Sequence, residues 1–316
     1  MSNLAQLSDS SDSQDFIAYL RHHSGSIILK IVYGYTLQEK EDPYLPLVLN
    51  AMEGVIPASN HGTFWVDYFP VLKYLPAWFP GASFKRKAAK WREAQRELKE
   101  RPWVWMMQAQ SSENNTAIGP SFCTLSAEHL GVTLGDNSET EDMIKNCAAN
   151  AYVGGGDTTV SSILTFILAM SLHPSIQARA QAEIDNLGSG RLPDFSDCGS
   201  GKLPFVDAVI KETLRWNPVT PLGKSLSEFK KVIGGDGDAC TGYLAASHRT
   251  VQDDIYEGYF IPAGATIVPN TWAILHDETL YGPNPMEFDP DRFLLRPEDG
   301  DGCPNPELYA FGFGRR

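Results

Sequence analysis

The sequence predicts a mainly α-helical protein with a small β region. The first observation is the stretch from Glu139 to Leu172, which has helix-start signals at one end and His173-Pro174 at the other, and so predicts one long helix. The second is that several further stretches have a composition typical of helices. The third is that this pattern changes after His248. Two short β-type runs flank a Pro-Ala-Gly turn between Tyr259 and Val268, which indicates a hairpin.

The remaining elements follow along the chain. Residues 1–13 are polar and Ser/Asp-rich, and we expect them to be disordered. The stretches with predicted structure are Ser24–Tyr35 (a buried helix), Asp67–Phe79 (an apolar surface loop leading into a helix), Phe84–Glu100 (a solvated helix), Pro174–Leu187 (a helix) and Leu203–Trp216 (a helix stopped by Pro218). Residues 224–247 lack periodicity, and an unstructured loop of that length is uncommon in a compact domain.

The start of the long helix carries two signals. Ser138 and Glu141 have the spacing of a capping box, in which each residue satisfies a backbone N–H near the other. Glu139, Glu141 and Asp142 place negative charge in the first turn, where it favours the helix dipole.

Composition excludes several classes of protein. The net charge is 26 − 39 = −13, which argues against a nucleic-acid partner. The five cysteines are scattered and form no C-x-x-C pair, so neither a disulfide framework nor a zinc site is predicted. No signal peptide is visible. The apolar run Val160–Leu172 is shorter than the roughly 20 residues that a bilayer span needs, and predicts a buried core helix.

The long helix contains the run Gly154-Gly155-Gly156-Asp157-Thr158-Thr159. Glycine inside a helix costs about 1 kcal/mol relative to alanine, which a close backbone approach or a bulge would explain. An adjacent acid and alcohol can hold water and pass protons. The structural alternative, a kink with a self-satisfied threonine, carries equal weight from these residues alone. A phosphate cradle is less favoured because no Gly-Lys-Ser/Thr follows.

A second motif is Glu212 and Arg215, which share one helix face by their i, i+3 spacing. Such pairs are usually exposed, but the neighbours here are apolar, and a buried pair would need a third partner for the guanidinium. Arg292, in Phe288-Asp289-Pro290-Asp291-Arg292-Phe293, is the candidate third partner. The chain closes on Phe311-Gly312-Phe313-Gly314-Arg315-Arg316, which alone is typical of a turn or a disordered end.

Together these motifs resemble the cytochrome P-450 family of haem-thiolate monooxygenases. The A/G-G-x-D/E-T-T helix of that family resembles Gly154–Thr159, and its E-x-x-R helix resembles Glu212 and Arg215. The F-x-P-x-R-F segment and the haem loop F-x-x-G-x-R are similar to the stretches that contain Arg292 and Phe311. The amino-acid sequence is most similar to fungal members of the family that act in secondary metabolism. The resemblance covers nearly the whole chain and implies an incomplete cytochrome P-450 fold, a single partial domain over residues 1–316.

The resemblance implies roles for individual residues. Asp157 and Thr158 would be the oxygen-activating acid–alcohol pair, and Glu212, Arg215 and Arg292 a buried triad that supports the haem side of the fold. The cofactor would be haem b, an iron porphyrin, bound with the help of His248, Arg316, Gly155 and Phe311. Arginine suits a haem propionate because its charged fork is fixed in shape.

The sequence departs from the family in three respects. The axial cysteine expected two residues beyond Arg316 is not in the chain, and Cys303, the nearest candidate, precedes Phe311 rather than following it, so no metal ligand is assigned. The family's N-terminal third, with its membrane anchor, is not represented. Residues 224–247 interrupt a family-like stretch, and we expect an insertion there, such as a translated intron.

The implied function is a haem-dependent monooxygenase, an oxidoreductase that hydroxylates a small lipophilic molecule with O₂ and electrons from an NADPH-dependent cytochrome reductase. The alternative is a catalytically inactive fragment or pseudogene product that cannot bind haem normally. A helical protein-interaction module has little support. The resemblance implies the endoplasmic reticulum membrane for the full-length protein, whereas the 316 residues alone suggest a soluble, cytoplasmic chain.

Overall fold

The computed structural model describes residues 13–38, 42–59, 62–111, 119–136, 138–188, 193–197, 199–221, 248–294 and 302–313. Its α-helices are α1 (Ser13–Tyr33), α2 (Leu45–Ser59), α3 (Trp65–Tyr68), α4 (Ser83–Ser111), α5 (Phe122–Leu130), α6 (Glu139–Leu172), α7 (Pro174–Asp185), α8 (Pro204–Trp216), α9 (Thr271–Leu275), α10 (Glu278–Tyr281) and α11 (Glu307–Ala310). The strands are β1 (His248–Arg249), β2 (Asp254–Tyr256), β3 (Tyr259–Ile261) and β4 (Thr266–Ile267), and 3-10 helices span Pro70–Tyr74 and Pro290–Phe293. The predicted fold class, mainly α with a small β region, is confirmed.

The predicted helices are present, with different bounds in places. The long helix α6 has the predicted limits, whereas α7 ends at Asp185 rather than at Leu187. The helix predicted from Ser24 is the second half of α1, which begins at Ser13. Ser13 therefore belongs to a helix and not to the segment predicted to be disordered. Residues 1–12 and the predicted insertion 224–247 lie outside the described residues.

The chain divides into two compact units, Met1–Val160 and Ser161–Arg316, with the boundary inside α6. In the first unit, α2 packs closely on α4. A methyl group built on Gly54 would lie 2.3 Å from Cγ of Trp91, so only glycine permits this approach. Gln95 on α4 donates to the carbonyl of Ala51 at 2.9 Å, and Tyr152 on α6 donates to the carbonyl of Tyr44 at 2.8 Å.

Half of the capping box predicted for α6 is present. The Ser138 hydroxyl accepts from the Glu141 N–H at 3.1 Å, as predicted. The Ser138 N–H donates to Asp136 at 2.8 Å, and the Glu141 carboxylate accepts from the Gly135 N–H at 3.1 Å. The hydrogen bond to Asp136 holds the pKa of that carboxyl below its ordinary value.

The second unit has a small core between α6, α7, α8 and the second 3-10 helix, Pro290–Phe293. Met170, Phe205, Val209 and Phe288 are buried together there. The carboxylate of Glu183 accepts from the first free N–H groups of α8, at 3.0 Å from Phe205 and 2.8 Å from Val206. A side chain from the preceding helix therefore satisfies donors that a helix N-terminus leaves open.

The hairpin predicted around the Pro-Ala-Gly turn is wrong in its pairing. The run Tyr259–Ile261 pairs antiparallel with Asp254–Tyr256, and Thr266–Ile267 pairs with His248–Arg249. The tight hairpin turn lies at Glu257-Gly258, where both residues have positive φ, +49° and +84°. Two positive φ values are the geometry that matches strand twist in two-residue hairpins. The Pro-Ala-Gly turn instead returns the chain to β1.

The apolar run predicted to be a buried core helix is only partly buried. Val160, Thr165, Ala169 and Met170 are buried, while Phe166 and Leu172 are exposed. By length and composition, α6 is also long and apolar enough to cross a bilayer. The core helix of a soluble protein meets the same criterion, so this property alone does not indicate a membrane span.

Candidate functional site

The three glycines of α6 have different surroundings, although the helix is continuous through them. A methyl group on Gly155 would lie 2.7 Å from Ile28 of α1, and one on Gly156 would lie 3.4 Å from Val48 of α2. A methyl group on Gly154 would meet nothing within 4 Å. Gly155 is therefore explained by helix packing, and open space lies beside α6 at Gly154.

Ser24 of α1 reinforces this contact. Its buried hydroxyl donates to the carbonyl of Gly155 at 2.8 Å. Ser24 and Ile28 are one helical turn apart, so both meet the same glycine. Reading the sequence did not identify Ser24, because a serine at helical spacing gives no signal of a partner 131 residues away.

Asp157 and Thr158 both lie on α6 and are partly buried. The Thr158 hydroxyl donates to the carbonyl of Gly154, so the self-satisfied threonine that the sequence left open as an alternative is observed. Thr158 and Gly154 share one face of α6 by their i, i+4 spacing, and this is the open face. Asp157 faces a small cavity of about 20 Å³ that Arg21 of α1 also lines.

In the second unit, the structure brings Glu212, Arg215 and Arg292 together. Arg215 donates to Glu212 from Nε at 2.6 Å and from Nη2 at 2.8 Å. Arg292 donates from Nε to the same carboxylate at 3.2 Å. The side chains of Glu212 and Arg215 are fully buried, and that of Arg292 is 6% exposed. The arrangement supplies the third charged partner that a buried pair was expected to need.

Backbone groups complete the hydrogen bonds of this triad. Arg215 also donates to the carbonyls of Leu275, Pro285 and Glu287, at 2.8, 2.7 and 3.1 Å. The N–H of Asp289 donates to Glu212 at 2.8 Å, and Arg292 donates to the carbonyl of Tyr281. The triad thereby ties α8 to the stretch from the end of α9 to the start of the second 3-10 helix, which includes α10. The sequence indicated the charged partners but not these carbonyls.

Two of the other predicted cofactor residues, His248 and Phe311, lie on separate elements of the second unit. His248 lies on the exposed strand β1. Phe311 follows α11 and is 71% exposed. Arg316 lies outside the described residues. The assignments of these residues, and of Gly155, to haem binding stay predictions.

Gly154 is exposed on α6, and a methyl group built on it would meet nothing within 4 Å, so the described residues do not obstruct a flat group at this face. Cys303 is not assigned as the axial thiolate, because it precedes Phe311 in the chain rather than following it as the haem loop of the family requires. No chemical step is therefore assigned to an iron ligand within the described part of the chain.

Comparison with known proteins identifies the family. The family model described as cytochrome P450 matches residues 1–231 and 241–316. A cytochrome P450 monooxygenase of Armillaria gallica is 42% identical over 303 residues, which is 95% of this chain and 53% of the relative. Tryptamine 4-monooxygenase of Psilocybe cyanescens is 39% identical over 307 residues, which is 94% of this chain and 54% of the relative.

These similarities agree with the mainly helical fold of the described residues. The chain belongs to the cytochrome P450 family. It spans about half the length of the curated relatives it matches. The family match is interrupted at residues 232–240, inside the predicted insertion 224–247.

Proposed function

We propose that this chain forms part of a haem-dependent monooxygenase, an oxidoreductase that hydroxylates a lipophilic organic molecule with O₂. The observation that carries the proposal is the segment Gly154–Thr158 of α6, where the Thr158 hydroxyl lies on the open helix face and Asp157 is its neighbour in sequence. Fungal monooxygenases among the relatives support the same reaction class. Action in secondary metabolism is proposed on the same basis.

The chain's own residues have distinct roles in this proposal. Haem b, when bound, supplies the oxidising chemistry, and the protein supplies orientation and protons. Thr158 holds water or an oxygen species at the open face, since its hydroxyl can rotate away from the Gly154 carbonyl. Asp157 passes protons between Thr158 and solvent. His248 and Arg316 bind the propionates, and Gly155 and Phe311 border the cofactor.

The Glu212–Arg215–Arg292 triad has a supporting role. It touches no reacting atom in this proposal. Its hydrogen bonds hold the segment between α9 and the second 3-10 helix in one conformation. We propose that this rigidity supports the haem side of the fold.

The proposed partners are an NADPH-dependent cytochrome reductase, which supplies electrons, and a small lipophilic substrate. We also propose that the whole protein lies at the endoplasmic reticulum membrane. An exposed aromatic surface supports membrane contact. It consists of Trp65, Tyr68, Phe69, Tyr74, Trp78 and Phe79, and the Lys73 ammonium lies 5.0 Å from the centre of the Tyr74 ring. Tryptophan and tyrosine favour the membrane–water interface, and lysine favours anionic headgroups.

The decisive experiment is the reduced carbon-monoxide difference spectrum of the expressed chain after addition of haemin. A thiolate-type Soret band supports the proposed function. Absence of haem binding, or a band of a non-thiolate haem, supports the inactive alternative for this chain. Reading the genomic DNA downstream of the Arg316 codon, and sequencing transcripts across codons 224–247, tests whether a ligand cysteine is encoded and whether the insertion is retained.

A further inference from the structure

The carbonyl of Gly155 on α6 accepts a hydrogen bond from outside its own helix. The donor is the hydroxyl of Ser24 on α1, at 2.8 Å, and Ser24 is only 4% exposed. In a continuous α-helix the same carbonyl also accepts from the N–H four residues later, that of Thr159. A carbonyl oxygen has two lone pairs and can accept both bonds. The bond from Ser24 therefore restrains α6 at the middle one of its three glycines.

The backbone of α6 has the least intrinsic restraint at this point. Residues 154–156 are three consecutive glycines inside the helix. A glycine has no Cβ to limit its backbone angles, and it destabilises a helix by about 1 kcal/mol relative to alanine. The conformation of this turn consequently depends on contacts from neighbouring elements more than that of an ordinary helical turn does.

Ile28 of α1 contacts the same glycine. A methyl group built on Gly155 would lie 2.7 Å from Cγ1 and Cδ1 of Ile28 and 3.2 Å from its Cβ. Ile28 follows Ser24 by four residues, so both side chains reach Gly155 from one face of α1. The isoleucine limits how closely the two helices approach, and the hydroxyl fixes the direction of the Gly155 carbonyl.

The restrained glycine precedes the acid–alcohol pair by less than one helical turn. Asp157 and Thr158 are two and three residues after Gly155. The Thr158 hydroxyl donates to the carbonyl of Gly154, the residue immediately before Gly155. A shift of the backbone at Gly155 therefore moves both the Thr158 side chain and the carbonyl that holds its hydroxyl.

We propose that Ser24 is a positioning residue for Asp157 and Thr158. Its hydroxyl holds the Gly155 carbonyl and thereby keeps the glycine-rich turn of α6 in the conformation that places the Thr158 hydroxyl on the open helix face. The consequence for oxygen activation rests on the proposed function. The restraint of α6 by Ser24 does not.

The restraint is tested by hydrogen–deuterium exchange of the 316-residue chain, read by mass spectrometry on its peptides. Ser24→Ala should speed exchange in residues 153–160 roughly fivefold, the effect of losing one hydrogen bond, and leave residues 141–150 of the same helix unchanged. Ser26→Ala is the matched control, because the Ser26 hydroxyl donates to the His23 carbonyl within α1. Unchanged exchange in residues 153–160 of Ser24→Ala would overturn the proposal. So would an equal rise in both segments, which would indicate a loss of global stability only.

A second variant separates the hydrogen bond from packing. Ser24→Cys fills the space of the hydroxyl, but a thiol is a weak donor. It should therefore exchange in residues 153–160 as fast as Ser24→Ala does. Exchange at the wild-type rate in Ser24→Cys would show that the filled space, and not the hydrogen bond, restrains α6, and would overturn the proposal.

The catalytic consequence is tested on the haem-loaded, full-length protein. Ser24→Ala should lower the share of consumed NADPH that is recovered as hydroxylated product several-fold, because proton delivery depends on the placement of the Thr158 hydroxyl. The carbon-monoxide difference spectrum and the substrate-induced spectral shift should not change, and Ser26→Ala should leave the share unaltered. An unchanged share in Ser24→Ala would overturn the positioning role. A protein that binds no haem would instead contradict the proposed function, and the exchange result would still decide the restraint.

Discussion

The guanidinium of Arg215 meets the carboxylate of Glu212 in a two-point contact, with Nε 2.6 Å from Oε2 and Nη2 2.8 Å from Oε1. Neither side chain is accessible to solvent. A buried ion pair is unfavourable to form, because both groups lose hydration, but it is far more unfavourable to break. Here Arg292 and several backbone groups satisfy the remaining donors and acceptors.

We therefore predict that Arg215→Ala destabilises the protein by about 3–5 kcal/mol. The loss should fall at the lower end of this range, since Arg292 still contacts Glu212 at 3.2 Å. The measurement is chemical denaturation followed by circular dichroism. Arg96→Ala is the matched control, because Arg96 and Glu93 have the same i, i+3 spacing but are exposed, and its midpoint should not move. An Arg215→Ala midpoint equal to the wild type would show that the pair is not buried.

Two neighbouring glycines of α6 should respond in opposite directions. Gly154→Ala meets open space and should stabilise the chain by up to about 1 kcal/mol, because alanine is the better helix former. Gly155→Ala places a methyl group 2.7 Å from Ile28 and should destabilise it, by about 1–3 kcal/mol as overpacking does. The measurement is the thermal unfolding midpoint of each of the two variants. Equal shifts would contradict the packing of α1 on α6.

The helices could be predicted from the sequence because their ends are encoded locally. Pro174 and Pro204 occupy the first turns of α7 and α8, and Ser138 caps α6. The strand pairing could not be predicted. Its turn uses Glu257 at φ +49°, whereas glycine, asparagine or aspartate is the usual residue there, so the Pro-Ala-Gly sequence gave the stronger but misleading signal.

The residues of the candidate site also divide into those that the sequence could predict and those that it could not. Glu212, Arg215 and Arg292 were recognisable because their charges occur at family-like positions among apolar neighbours. Ser24 was not, since its partner Gly155 on α6 is 131 residues away and Ser24 occurs in no motif. Contacts between helices distant in sequence depend on packing, which a single sequence does not display.

Cys123 and Cys147, both in the first unit, should differ in their reactivity with disulfide reagents. Cys123 is fully buried, and desolvation raises the pKa of its thiol to about 12. Only the thiolate reacts with disulfide reagents, so at a pH of about 8 Cys123 should stay unlabelled in the folded chain. Cys147 is exposed on α6 and should be labelled.

The measurement uses single-cysteine variants that retain Cys123 or Cys147, with the other cysteines replaced by alanine. Denaturant should make Cys123 as reactive as Cys147. Rapid labelling of Cys123 without denaturant, in a variant whose circular dichroism spectrum is native, would refute the burial of α5 against its neighbours.

Binding to lipid vesicles should depend on the exposed aromatic surface. Trp65 and Trp78 are 73% and 79% exposed, in a chain whose net charge is −13. If about 60 Å² of each indole leaves water at an interface, about 25 cal/mol per Å² gives about 1.5 kcal/mol. Each substitution Trp65→Ser and Trp78→Ser should then weaken partitioning roughly tenfold.

The charge and control variants sharpen this test. Lys73→Ala should weaken binding to anionic vesicles and leave binding to neutral vesicles unchanged, because a basic side chain near an anionic surface contributes about 1 kcal/mol. Phe195→Ser is the matched control, since Phe195 is 98% exposed but lies outside the aromatic surface. Co-sedimentation with the vesicles is the measurement. If Phe195→Ser weakens partitioning as much as Trp78→Ser does, contact with lipid is nonspecific and residues 65–79 are not the surface that meets the membrane.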